Sequence, residues 1–436
     1  MAVVSTIAIC SLLLTGGSSP VSAPASPIQN VSWISLMRDA LADNPSVVTK
    51  RAMLESSNSG ITTARWQFFP TPSANVEKVQ ETNDATYRGT TQISKLSVQQ
   101  PLWTGGRLTA NLDSAKAREV SALAELEMAR LQLAQKITEI YGDWFLANAK
   151  IKVIKFNIDA LDKKMTLIEA RIEQGMAAPI DRVFVVGRIE QLKSDLLSFQ
   201  VQLRSAQTKM SQVLGREVKS QELEIHTPIP SQVAKLTDED LKTLAKQHPS
   251  VIRSEAQIKL QEAEIASAKA DLQPDAYVKF DRQFGNYLYD NLGPQNHTFI
   301  GFNTRFGAGL SNRSIISSAM SKLESANQDQ EQSQRLIFEQ ISSDLTSIQA
   351  MPSRLQSLHA SMMASKDTLD SWERQYLVGK KSWQDIINAH RELLIASYAF
   401  HEAHTTWFVA SWRFNMHAEG LEKILASSVP SNICSQ

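Results

Sequence analysis

Two short stretches of this chain carry residue types that could support chemistry. His401, Glu402 and His404 have the composition of a zinc-protease box, but that box needs its histidines four residues apart on one helix face, and these are three apart. We therefore predict that His404 packs on a helix seam or faces an internal lumen. Gly105 and Gly106 lack the Lys-Ser or Lys-Thr pair that completes a phosphate loop, so a strand-to-helix corner is their expected role. The sequence predicts no catalytic residues, no metal site and no cofactor.

The overall charge is balanced, with 45 Lys and Arg residues against 45 Asp and Glu residues. This balance gives no support for a nucleic-acid partner or for a polybasic membrane-binding surface. No window approaches the roughly 18 uninterrupted apolar residues of a membrane-spanning helix. If the protein lies in a membrane, strands must carry it.

Residues 1–25 have the pattern of a secretory signal peptide. Val3–Leu14 is apolar, a break rich in Gly and Ser follows, and Ala23 and Ala25 offer cleavage points. No Lys or Arg precedes the apolar run, and a disordered apolar tail is the alternative interpretation. Cleavage would remove Cys10 and leave Cys434 alone, so we expect no internal disulfide and no acyl anchor.

The elements that would position any site are long periodic segments. Arg107–Gln174 has no proline and one glycine, and its apolar residues recur at three- and four-residue spacing. As one helix it would be about 100 Å long and would need a partner helix along its length. Gly175–Pro179 breaks the rhythm, which resumes from Val185 to Val213. The pattern predicts two antiparallel helices joined at a sharp tip, which together form a hairpin rod.

The chain is a tandem duplication. A constant offset of 204 residues relates marker residues of the two halves, as in Pro45 with Pro249, Gly105 with Gly309, Gly175 with Gly379 and Asp181 with Asp385. We predict a signal peptide at 1–25, a first repeat at 26–216, a linker at 217–237, a second repeat at 238–425 and a tail at 426–436. Each repeat should contain a helix, two strands, a long helix, a tip and a return helix.

The expected elements of repeat 1 are a helix over about Trp33–Phe69, strands near 73–80 and 90–102, the long helix, and a tip at 175–179. Those of repeat 2 are a helix over about Asp238–Gln273, strands near 275–284 and 297–306, a long helix over about Asn312–Val378, and a tip at 379–382. Pro352 lies inside the second long helix and is expected to kink or break it.

The predicted strands alternate apolar and polar residues. Ala276, Val278 and Phe280 alternate with Tyr277 and Lys279, which is typical of a strand that crosses a bilayer beside water. A half-buried soluble hairpin is the alternative. Four such strands cannot close a barrel, and open strand edges are not tolerated in lipid. Several chains must then contribute strands to one ring, which makes the protein an obligate oligomer.

After the signal, nearly the whole chain resembles the TolC-like outer-membrane efflux and secretion protein family. The similarity lies in the Asn44-Pro45 helix, the strand end at Gln100–Arg107 and the tip at Tyr376–Ala389. The resemblance implies a mainly α fold with a small β part. In the implied homotrimer, each chain gives four strands to a 12-stranded β-barrel in the outer membrane, and long antiparallel coiled coils continue as a tunnel into the periplasm.

The resemblance also implies partners and a function. The partners are outer-membrane lipid, a periplasmic adaptor (membrane fusion) protein, and an inner-membrane ABC exporter or proton-driven pump. The segment Lys380–Glu392 resembles the tip of subunits that serve type I secretion of large adhesins. We therefore expect a type I secretion duct, with an outer-membrane component of a multidrug or small-molecule efflux pump as the alternative. A periplasmic coiled-coil scaffold, which needs neither a signal peptide nor alternating strands, is a more distant alternative.

By the same resemblance, the hairpin tips carry the functional residues. Gly175, Met176, Gly379 and Lys380 are expected to dock the adaptor. The family's periplasmic gate places a tip aspartate at Asp181, its partners at Tyr376 and Lys381, and a lumen ring at Asp385 with Asn388 one turn further on. Family members commonly have Arg in place of Lys381 and an acidic residue in place of Asn388. The alternative is that Asp181 and Asp385 are carboxylates that merely cap the return helices.

Overall fold

The computed structural model of this chain describes residues 33–78, 89–223, 236–286, 293–304 and 311–426. The expected signal peptide at 1–25 lies outside these residues, as do residues 224–235 of the linker and residues 427–436 of the tail.

Both repeats contain the same series of elements. Repeat 1 consists of α1 (Trp33–Asp43), α2 (Pro45–Trp66), β1 (Thr71–Lys78), β2 (Gln92–Trp103), α3 (Arg107–Glu173) and α4 (Pro179–Leu214). The short helix α5 (Ser220–Leu223) lies in the predicted linker. Repeat 2 consists of α6 (Asp238–Gln247), α7 (Pro249–Ala270), β3 (Asp275–Phe284), β4 (Gln295–Asn303), α8 (Asn312–Leu377) and α9 (Trp383–Ala418), followed by α10 (Leu421–Ala426). The predicted mainly helical, two-repeat architecture is confirmed.

The prediction of one continuous first helix is wrong in both repeats, at Trp33–Phe69 and at Asp238–Gln273. In each case a proline begins a second helix, Pro45 in repeat 1 and Pro249 in repeat 2. The residue before each proline is extended, with ψ 128° at Asn44 and ψ 138° at His248. Proline disfavours the helical conformation at the preceding residue, so the helix stops there and a capped helix restarts.

Pro352 was expected to kink or break the second long helix, and it does not break it, since α8 continues through it; the kink stays a prediction. Pro352 is exposed, whereas Met351 and Leu355 beside it are buried. Burial of these flanking side chains compensates for the backbone hydrogen bond that proline removes.

The sheet is antiparallel throughout, with strand order β1-β2-β3-β4, and the pairing of β2 with β3 joins the two repeats. The registers place six large apolar residues on one face, where they are exposed: Val76, Leu96, Val98, Phe280, Ile300 and Phe302. The opposite face carries Lys95, Lys279 and Asp281. The Asp281 carboxylate is buried between the two ammonium groups, 2.8 Å from Lys95 and 3.4 Å from Lys279. This second face also carries the exposed Phe299, so the first face is the more apolar of the two.

The long helices pack in the order α4-α3-α9-α8, because α3 contacts both α4 and α9, and α9 contacts α8. Three apolar clusters hold this arrangement. One lies where α1 and α10 meet α3, α4 and α9, the second lies where α6 meets α8 and α9, and the third lies toward the tips around Ile168, Val185, Leu369 and Ile386. Among the residues that the structure describes, no helix is long and apolar enough to span a bilayer.

Candidate functional site at the hairpin tips

Both rods end in the same turn. Gly175 has φ +70° and Gly379 has φ +76°, conformations that favour glycine. After α3, the amide of Met176 donates to the carbonyl of Arg171 at 2.8 Å; after α8, the amide of Lys380 donates to the carbonyl of Gln375 at 2.9 Å. These are Schellman motifs, which satisfy the last carbonyls of a helix and reverse the chain sharply. Met176 and Lys380 are both exposed at the tips.

The return helices begin differently. Asp385 accepts hydrogen bonds from the Ser382 amide at 2.9 Å and the Ser382 hydroxyl at 2.8 Å, and the Asp385 amide donates back to that hydroxyl. This is a capping box, and the bond from the Ser382 amide lowers the pKa of Asp385, helped by the Ser382 hydroxyl and nearby Lys381. Within one chain, Asp385 therefore acts as a helix cap, which is the alternative to a gate role. The lumen-ring role of Asp385 and Asn388 stays a prediction.

Asp181 occupies the same repeat position but does not cap its helix. It lies in the first turn of α4, which begins at Pro179 without a side-chain cap. Within the described part of the chain, its carboxylate has no hydrogen-bond or ion-pair partner. Asp181 is half-buried, whereas Asn388 is exposed on α9.

Tyr376 lies inside the tip rather than on its surface. Its ring packs edge-on against Trp383 at 5.4 Å, and the Arg171 guanidinium lies 4.9 Å from the ring centroid. Its hydroxyl is buried and has no hydrogen-bond partner among the described residues. The Lys381 ammonium lies 4.0 Å from the ring centroid of Trp372, a cation–π contact. Neither predicted partner is bonded to Asp181 within one described chain.

Sequence reasoning missed Arg171. Its guanidinium donates to the Leu377 carbonyl at 3.0 Å and to the Tyr376 carbonyl at 3.4 Å, so the end of α3 caps the end of α8. A cation at a helix C-terminus is favourable because it faces the negative end of the helix dipole. Arg171 therefore fixes the two rods to each other at the tip. Only its position in the last turn of α3 could have suggested this role.

The comparisons with known proteins agree on the fold and on one kind of relative. The family model described as outer membrane efflux protein matches residues 36–216, which is nearly all of repeat 1. Nodulation protein T of Rhizobium leguminosarum bv. trifolii is 22% identical over 338 residues, covering 74% of this chain and 70% of that protein. The chain is therefore similar to outer membrane efflux proteins over repeat 1 and to this nodulation protein over most of its length.

Solved structures of this TolC-like fold superpose on nearly the whole chain. A membrane protein from Pseudomonas aeruginosa has a TM-score of 0.78 at 16% identity and covers 92% of this chain and 99% of its own. The outer membrane protein VceC from Vibrio cholerae has a TM-score of 0.76 at 17% identity, covering 89% and 96%. The CmeC outer membrane channel from Campylobacter jejuni has a TM-score of 0.75 at 13% identity and covers 97% of each chain.

Above the tip, this chain has a partly buried polar network that the sequence did not reveal. Lys164 on α3 forms an ion pair with Glu373 on α8. Glu373 lies 3.4 Å from His390 Nε2 on α9, and His390 Nδ1 lies 3.4 Å from the Asn157 amide oxygen on α3. Burial opposes ionisation of Glu373, but the nearby His390 and Lys164 outweigh it and lower the pKa of this carboxyl group. The network joins both rods.

The other residues that the sequence singled out for chemistry lie at packed or corner positions in the described structure. His404 packs 5.7 Å from the Phe145 ring and 6.3 Å from the Phe400 ring, as measured between centroids. In the described residues, no group of three or more His, Cys, Asp or Glu side chains could hold a metal ion. Gly105 and Gly106, both with positive φ, form the corner between β2 and α3.

Proposed function

We propose that three copies of this chain form the outer-membrane channel-tunnel of a tripartite export system. One observation carries the proposal: a sheet with an exposed apolar face is joined directly to rods about 100 Å long. A sheet of this kind suits lipid on one side and water on the other. Rods of this length suit a passage across the periplasm toward an inner-membrane transporter.

The open edges of the sheet support assembly into a ring. Among the described strands, β1 and β4 each pair on one side. An unpaired edge in hydrocarbon leaves backbone groups without hydrogen bonds, at a cost of several kcal/mol each. Pairing β4 of one copy with β1 of the next removes every edge, and three copies would give twelve strands.

Cysteine cross-linking in the outer-membrane fraction tests the ring. Cysteines introduced in pairs along β1 (around Ala74) and β4 (around Thr298) should link neighbouring copies into a covalent trimer. Paired cysteines at Ala74 and on β2 at Leu96 are the matched control, because these partners lie within one chain and should not change the apparent mass. A stable single-chain pore in native mass spectrometry would refute the proposal.

We further propose that the adaptor of the export system docks at the hairpin tips. Met176 and Lys380 are exposed and extend furthest from the sheet along each rod. Photo-crosslinkers placed at Met176 or Lys380 should capture the adaptor in cells. Capture from crosslinkers near the sheet, with none from the tips, would contradict this docking mode.

For the cargo, we propose type I secretion of a large adhesin-like protein, supported by the resemblance at Lys380–Glu392. The second candidate is small-molecule efflux, favoured by the family description that matches repeat 1. Deletion of the gene separates the two. Loss of a surface adhesin with unchanged drug susceptibility supports secretion, and increased susceptibility with intact adhesin display supports efflux.

A further inference from the structure

The two repeats differ in the side chain that restarts the helix after its proline break. Asn44 and His248 occupy the same position at the offset of 204 residues, and each is the N-cap of the helix that follows. Asn44 Oδ1 accepts a hydrogen bond from the Ser46 amide at 3.0 Å, and its Nδ2 donates to the carbonyl of Val213 on α4 at 3.0 Å. Both polar atoms of this cap are satisfied, and neither titrates.

His248 uses an imidazole for the same purpose. Its Nδ1 accepts a hydrogen bond from the Ser250 amide at 3.2 Å and lies 2.8 Å from the Ser250 hydroxyl. Its Nε2 is buried and has no hydrogen-bond partner in the described structure. An imidazole can accept at Nδ1 only while that nitrogen carries no proton. The cap therefore requires neutral His248.

The surroundings of His248 disfavour a positive charge. His417 on α9, the repeat counterpart of Val213, packs 5.2 Å from His248 between ring centroids. His417 Nε2 lies 3.0 Å from the side-chain amide of Gln135 on α3, and its Nδ1 is buried without a described partner. A protonated His248 would thus lie beside the imidazole of His417 rather than beside a carboxylate.

The charged groups near the two histidines do not stabilise a positive charge on His248. Arg413 on α9 acts on His417 and lowers its proton affinity. Arg413 itself is paired with Asp344 on α8 and also feels Glu139 on α3. No described carboxylate lies within ion-pair distance of His248 or His417.

We propose that His248 is a pH-dependent N-cap, which holds the start of α7 when neutral and releases it when protonated. Protonation converts Nδ1 from an acceptor to a donor, so the Ser250 amide loses its partner. It also places a positive charge at the positive end of the α7 dipole, which is unfavourable. The adjoining helix α6 packs through Leu241 against Ile341 and Leu345 of α8, so loosening at this break would reach the second rod.

The direction of the pH dependence follows from the two histidines. Burial, and then His417, lower the pKa of His248 from 6.5 to about 4. Burial, and then Arg413, lower the pKa of His417 from 6.5 to about 4. Because both folded-state values lie below 6.5, the stabilisation is fully present above pH 6.5 and is lost as the pH falls toward 4.

Hydrogen–deuterium exchange on the full-length assembled protein tests the cap. After correction for intrinsic rates, the amides of Ser250–Ser254 should lose about tenfold or more in protection between about pH 7 and about pH 4.5. His248→Asn, which copies the repeat 1 cap, should keep this protection at both pH values. His359→Asn, a change at an exposed histidine on α8, should behave like the unmodified protein.

Exchange at the imidazole C2 hydrogen provides a second readout that needs no variant. It should give a midpoint near 4 for His248, the value expected from its burial. A midpoint near 6.5, or equal acid-induced loss of protection in His248→Asn, would overturn the proposal. The test concerns contacts within one chain, so its failure would leave the proposed export function unaffected. Equally, failure of the proposed export function would leave the pH-dependent cap unaffected.

Discussion

Replacing Tyr376 with Phe removes one hydroxyl from the hairpin tip and tests whether the gate lies there. Within one chain, this hydroxyl is buried and has no described partner. Buried polar groups without partners are rare and cost about 1–3 kcal/mol each. The gate prediction pairs this hydroxyl with Asp181 of a neighbouring copy, and Asp181 also lacks a partner within the described chain. Because the hydroxyl is buried within its own chain, this pairing requires the Tyr376 side chain to turn outward when the copies assemble.

The size of the effect follows from the proposed assembly of three copies. A net hydrogen bond contributes about 0.5–1.5 kcal/mol, so three of them contribute about 1.5–4.5 kcal/mol to the closed state. At about 1.4 kcal/mol per factor of ten, the ratio of closed to open channels should fall about tenfold to roughly a thousandfold. Tyr376→Phe channels in planar bilayers should therefore show a clearly higher conductance than the unmodified trimer.

Tyr398→Phe is the matched control for this experiment. The Tyr398 hydroxyl is also buried without a described partner, but it lies higher on α9, where its ring packs 5.7 Å from Phe199. This variant should leave conductance unchanged. If Tyr376→Phe also leaves conductance unchanged and raises the melting temperature, the hydroxyl is an unsatisfied core group, and the gate lies elsewhere.

Three further outcomes are expected. Asp385→Ala should reduce amide protection in the first turn of α9, because it removes the capping box. Asp181→Ala should leave amide protection in the first turn of α4 unchanged. Peptide-level hydrogen exchange measures the protection in both variants. Gly142→Ala should destabilise the protein by about 1–3 kcal/mol in chemical denaturation, since the added Cβ would lie 2.8 Å from a side chain of α9. Gly60 has open space around it, so Gly60→Ala should be neutral or stabilising. Trp66, exposed beside the sheet, should have its fluorescence quenched by brominated lipids if it lies at the membrane interface; equal quenching by a water-soluble agent alone would contradict that placement.

The rods and strands were predictable because their signals are periodic and local. The three-four spacing from Arg107 gave α3 to within one residue of its end, and the apolar–polar alternation gave β3 with the bounds Asp275–Phe284. The breaks at Asn44 and His248 were missed although each precedes a proline. A proline permits a break or a kink, and tertiary packing decides which; α8 continues through Pro352 for that reason.

The tip was predictable in position but not in its contacts. Glycines at the offset of 204 residues located both turns, since few other residues adopt positive φ there. The contacts depend on which rod lies beside which, and no local pattern encodes that. Arg171 reaches the end of α8 because the two rods pack side by side through α3 and α9.

The two tip aspartates show how a duplicated position can take two roles. Ser382 precedes α9 and closes a capping box with Asp385, whereas Ala178 precedes α4 and offers Asp181 no hydroxyl. The Asp385 carboxylate is therefore held by its own helix, and the Asp181 carboxylate remains available to another chain. If a latch between copies closes the proposed tunnel, we expect Asp181 to be its acceptor, because Asp385 is already engaged in the cap of α9. Ala178→Ser, which allows Asp181 to cap α4 as Asp385 caps α9, should then raise conductance without changing the carboxylate itself.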